Sequence, residues 1–130
     1  MKSVFVATIK ISDGNERQEI DLVCNREEIS IAFICESGCK RIYFGCDFYK
    51  CFALLRKDNP ELTFFCKGAK INVHPSSMSS QMSLGLKAYE LVVGKEASLD
   101  DLVYIFDYED QDLTSDPDEQ RFFYMNWISS

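Results

Sequence analysis

Between Asp100 and Trp127 the chain changes its periodicity twice. An apolar run of strand character (Leu102, Val103, Tyr104, Ile105, Phe106) gives way to carboxylates at Asp107, Glu109, Asp110 and Asp112, and a helix restarts at Asp116-Pro117. Strand and helix must share one core, and the loop between them belongs at the surface, because burial would strand its backbone polar groups. Most of these charges should therefore be exposed and open to a partner. The helix is well marked: Asp116 stands at the cap, Pro117 at the first position and Glu119 at the third, a capping-box pattern whose acids complement the helix dipole. Its apolar residues Phe122, Phe123, Met125, Trp127 and Ile128 are expected to face the core. Of the aromatic residues near the junction, Tyr108 and Tyr124 are the candidates to stay exposed.

The chain ahead of this stretch reads as mixed. Lys2–Ile11 and Glu19–Cys24 alternate at strand period across Asp13-Gly14-Asn15, a hairpin turn, and a third strand is expected over Ser30–Glu36. From Asp47 to Asp58 the apolar positions Phe48, Cys51, Phe52, Leu54 and Leu55 recur at helical spacing, with Asp47 as cap and Asn59-Pro60 as stop; Lys50, Arg56 and Lys57 are read as its polar side. Leu62–Cys66 and Ile71–His74 read as a hairpin turning at Lys67-Gly68-Ala69-Lys70. A short helical turn follows from Pro75 to Gly85, then strands over Leu86–Val93 and Leu102–Phe106. The expected class is α+β: a mainly antiparallel sheet of five to seven strands with two main helices packed on it, in a single domain over residues 1–130.

A chain 46% hydrophobic and 13% aromatic has the means to fill one core. No apolar run reaches membrane-spanning length and the start, MKSVFVATIKIS, lacks the marks of a signal peptide, so the expectation is a cytoplasmic protein with no membrane partner. Its six cysteines, several in apolar surroundings, are expected to be reduced and structural. A zinc site from Cys35, Cys39, Cys46 and Cys51 is the weaker reading, because no C-x2-C pair is present. Charge is segregated: through Lys95 there are 13 basic and 11 acidic residues, and from Glu96 onward one basic against ten acidic. Such a field disfavours nucleic acid, whose phosphates demand Lys and Arg, and favours a basic protein partner.

Catalytic signatures are weak. Asp110, Asp112, Asp116 and Asp118 space like positions 1, 3, 7 and 9 of a calcium loop, but Ser115 replaces the turning glycine and Arg121 the bidentate glutamate. His74, the single histidine, is the one imidazole that could serve a nucleophile, and no G-x-S-x-G elbow or phosphate-binding glycine loop accompanies it. The reading is of no enzyme, no cofactor and no metal.

The phrases CKGAKINVHPSSMSSQMSLGLKAYEL (Cys66–Leu91) and DLVYIFDYEDQD (Asp101–Asp112), followed by DEQ before the aromatic helix, resemble immunity proteins of contact-dependent growth inhibition and related polymorphic-toxin systems. Gly68-Ala69, Val73-x-Pro75-Ser76, Met78, Met82, Gly85, Lys87-Ala88-Tyr89 and Ile105-Phe106-Asp107 carry the likeness, and His74 stands where an aromatic residue is expected. The resemblance implies a non-catalytic protein that binds the C-terminal domain of a cognate toxin, a basic nuclease for the acidic members. The candidate partner-binding residues are Asp107, Tyr108, Glu109, Asp110, Asp112, Asp116, Asp118 and Glu119. Two alternatives stand beside it. A metal-assisted hydrolase would bring His74 and two carboxylates into one cleft, and a ligand-sensing or scaffold domain would show a deep apolar pocket near Met78, Met82 and Tyr89.

Overall fold

Alternation sets the first two strands. In the computed structural model, which describes residues 3–34 and 38–129, β1 (Val4–Ser12) and β2 (Arg17–Asn25) pair antiparallel from Val4 opposite Asn25 to Ser12 opposite Arg17. The Asp13 carboxylate accepts the N–H groups of Asn15 and Glu16, and Gly14 takes the positive φ that the turn requires. β3 (Ser30–Ile34) follows; the Cys35 and Glu36 ends of the expected strand, like Lys2 of the first, lie outside the described residues. Two strands complete the sheet in the order β4-β3-β2-β1-β5: β4 (Lys40–Phe44), which the sequence pattern did not suggest, and the two-residue β5 (Thr63–Phe64).

α1 (Phe48–Asp58) lies on the inner face of this sheet. Phe48, Phe52 and Leu55 are fully buried among Ile9, Ile11, Leu22 and Ile31, and Phe52 meets Phe64 and Phe106 edge-on at 5.6 and 5.4 Å. Asp47 caps α1 by accepting Lys50 N–H, and it also accepts the Ser80 hydroxyl. Gly85 packs against that carboxylate so closely that a Cβ would stand 2.6 Å from its carbon. Cys24, Cys51 and Cys66 are fully buried, and burial pushes each thiol up to about 12; Cys39 and Cys46 are exposed.

The second half departs from the expected single sheet. β6 (Val73–His74), β7 (Lys87–Glu90) and β8 (Leu102–Tyr104) form their own antiparallel sheet in the order β6-β7-β8. Lys67–Ala69 is a 3-10 turn and not the bend of a hairpin, so the two strands expected to pair across it separate: β5 joins β1 and β6 joins β7. Gly68 explains the tight path, because a Cβ there would come within 2.9 Å of the Ile105 side chain. α2 (Ser77–Ser83) has a Ser76/Ser79 capping box, and α3 (Pro117–Ser129) ends the chain. The class is α+β as expected, with two sheets and three helices among the described residues. No helix among the described residues is long and apolar enough to cross a membrane.

Candidate functional site

The acidic junction is fixed by the segment beside it. Residues 105–114 pair with 65–71 in two separate antiparallel pieces, 105–109 against 65–68 and 112–114 against 69–71: bridges join Cys66 to Tyr108 and Lys70 to Leu113, and the N–H groups of Lys67, Gly68 and Ile71 donate to the carbonyls of Asp107, Ile105 and Asp112. Asp112 takes a left-handed conformation (φ 54), which aspartate tolerates better than most residues.

Glu109 does not share the exposure of its neighbours. It is 8% exposed; one carboxylate oxygen accepts the ammonium groups of Lys67 and Lys70, each at 2.9 Å, and the other accepts the N–H groups of Asp110 and Gln111. Both lysines also reach Glu90, at 3.1 and 3.4 Å. Burial alone would push the Glu109 carboxyl up, but the bonds from Lys67, Lys70 and Gln111 outweigh it and hold it at about 2. Its function is to pin the loop, and its oxygens are already engaged.

The other seven candidates lie at the surface. Tyr108 stacks on Phe65 at 6.2 Å, with the Lys10 ammonium 5.6 Å from its ring and Arg17 donating to its hydroxyl at 3.4 Å. That end of the junction therefore mixes charges. The acidic pole lies farther along, at Asp110, Asp112, Asp116, Asp118 and Glu119, all exposed, with Arg121 beside Asp118 at 3.7 Å. Asp116 accepts the N–H of Asp118 and so caps α3, whereas Glu119 accepts the Thr114 hydroxyl at 2.6 Å in place of closing the expected capping box.

α3 is held differently from the expectation. Phe122, Met125 and Ile128 are 65%, 56% and 54% exposed, and the one buried residue of the helix is Gln120. Its amide donates to the carbonyls of Gly68 and Lys70, at 2.9 and 2.8 Å, and its oxygen accepts Arg56 at 2.6 Å. Arg56, read from sequence as part of the polar side of α1, is fully buried and also donates to the Thr114 carbonyl. Burial lowers it to about 10, so it stays charged at neutral pH, solvated by carbonyl dipoles and by the Phe52 ring face at 5.2 Å. Helical spacing could have found it, since Arg56 falls four residues after Phe52 and seven after Tyr49, on the buried stripe.

Between α1 and α3 runs an open groove of about 490 Å³. His74 stands in its wall, stacked on Tyr124 at 4.0 Å with an interplanar angle of 9°, its Nδ1 2.8 Å from the Pro75 carbonyl oxygen. The carboxylate lining the groove is Asp118, facing the cations Lys50, Lys57 and Arg121. The groove that holds His74 is thus lined by one acid where the hydrolase reading needs two, and among the described residues no three His, Cys, Asp or Glu side chains gather as a metal site; Cys35, a member of the weaker zinc reading, lies outside them. Met78 and Met82 are 69% and 82% exposed, and Met82 borders an open pocket of about 290 Å³ with Arg26, Leu84, Leu86 and Tyr104. No protein-family model matches the chain, and no curated protein matches it.

Proposed function

We propose that the chain is a non-catalytic immunity protein that binds a basic toxin domain, of the nuclease kind, and covers its active cleft with the acidic pole. The observation that carries this reading is the pairing of exposure with rigidity. Asp110, Asp112, Asp116, Asp118 and Glu119 are exposed on a segment whose backbone is tied to residues 65–71 and whose one inward acid, Glu109, is clamped by two lysines. Charges held in place before encounter steer a cationic partner and lose little freedom when it docks. Tyr108 adds an aromatic contact at the mixed end, and Asp107 extends the acidic edge. The protein would act in the cytoplasm, where such a toxin meets its substrate.

The experiment begins with the reading frame beside this one. Expressed alone, its C-terminal domain should arrest growth, and this chain should relieve the arrest and form a complex. Asp110→Lys with Asp112→Lys should slow association about tenfold or more at low salt and flatten its salt dependence. A harmless neighbouring product, or a toxin that binds the double variant as fast as the native chain, overturns the proposal.

A further inference from the structure

The groove between α1 and α3 is chemically unlike the acidic pole and shares one residue with it, Asp118. Its volume, about 490 Å³, lies in the range of small-molecule sites, and its floor is apolar: Ala53 and Leu54 from α1, Met125 from α3, and the rings of Tyr49 and Tyr124. Contacts fix its direction. Arg56 of α1 reaches Thr114 and Gln120 at the start of α3, whereas His74, whose titration Lys50 influences, stacks on Tyr124 farther along the helix. Lys57 and Asp118 therefore share one end of the groove, and Lys50 and His74 the other.

The two ends differ in charge balance. At the first, the exposed Asp118 carboxylate lines the groove with Lys57 and pairs with Arg121 at 3.7 Å, so an anion there would meet a negative charge. At the second, Lys50 lies exposed on the first turn of α1 and forms no ion pair among the described residues, while its neighbouring acid Asp47 is buried and committed to the α1 cap and Ser80. An apolar trough ending in an exposed cation with no carboxylate in the wall beside it suits a ligand with a matching division. We propose that this groove binds a small anionic amphiphile, with its acid head at Lys50 beside His74 and its apolar body along Ala53, Leu54 and Met125.

Because His74 is the single histidine, its imidazole gives one unambiguous proton resonance at the head-group end. Burial lowers its titration, and repulsion from Lys50 lowers it further against the opposing pull of Asp47 and the Pro75 bond, so an anion bound at Lys50 should raise the midpoint. The test titrates the intact chain with decanoate below its micellar concentration, and with decanol and decyltrimethylammonium as neutral and cationic controls. Decanoate should saturate, move the His74 resonance and raise its midpoint, while both controls bind about tenfold more weakly or worse. Lys50→Glu should weaken decanoate about tenfold, and Lys57→Glu, at the end whose wall already carries a carboxylate, by less than about threefold. Both lysines are exposed, so neither variant threatens the fold. Decanol binding as tightly as decanoate, a silent His74 resonance, absence of saturation, or Lys57→Glu proving the more damaging variant would each overturn the site. The acidic pole could fail its own test and leave this result untouched.

Discussion

α1 and α3 both read as aromatic-rich helices packed on a sheet, yet the protein holds them by opposite means. α1 buries seven of its eleven residues, whereas α3 buries one of thirteen. In α1 the apolar residues recur on one stripe, so a single orientation removes Phe48, Phe52 and Leu55 from water. In α3 Phe122, Phe123, Tyr124, Met125, Trp127 and Ile128 are spread around the axis, so no rotation buries them together, and the helix is positioned by Gln120, Arg56 and the Asp116 cap. The region from β1 to β5 is thus held chiefly by apolar packing, and the region from Asp107 onward chiefly by hydrogen bonds and ion pairs. Polar anchors set position with few contacts and leave aromatic surface in solvent, where a partner can use it.

The contrast can be broken most severely in α1. Phe52→Ala removes a ring packed against Phe64 and Phe106 and should cost about 3–5 kcal/mol in urea denaturation; a loss below about 1 kcal/mol would refute the apolar account of that region. Gln120→Leu should cost about 2–3 kcal/mol, because it leaves the Gly68 and Lys70 carbonyls and one face of Arg56 without their partner. Hydrogen exchange should place that loss in α3 and residues 66–71 before the β1–β2 hairpin.

Acid should separate the two regions by a smaller amount. The folded Glu109 carboxyl is held at about 2, below the unfolded value near 4.3, so its contribution is complete above that unfolded value and fades as pH falls through the folded one. Its share is about 2 kcal/mol, discounted for partly exposed lysines. Exchange in residues 105–116 should accelerate between about pH 4.5 and pH 2, and Glu109→Gln should flatten that limb. Least of all, Phe122→Ala, at a ring 65% exposed, should change stability by less than about 0.5 kcal/mol, against the large cost at Phe52.

Local chemistry was the legible part of the sequence. Alternation gave the β1–β2 hairpin, the Asp47 cap gave the start of α1, and Asp116-Pro117 gave the start of α3, because each depends on neighbours within a turn or two. Pairing was not legible. Lys67–Lys70 has the look of a hairpin bend, but Gly68 is needed for the approach of Ile105, a residue remote in sequence, and that contact sends β5 and β6 to different sheets. The exposed carboxylates followed from the surface rule for loops, and Glu109 escaped it because Lys67 and Lys70 lie across a long intervening stretch. The groove went unread for the same reason: His74 and Tyr124 look unrelated until the fold stacks them.

The buried cysteines turn this division into a clock. A thiol reagent at mildly alkaline pH reaches the exposed Cys46 at once, whereas Cys24, Cys51 and Cys66 react only when something opens over them. Cys66 is bridged to Tyr108 and Cys24 belongs to the inner face of the large sheet, so the lag between their labelling times how long the C-terminal segment stays undone while the hairpin holds.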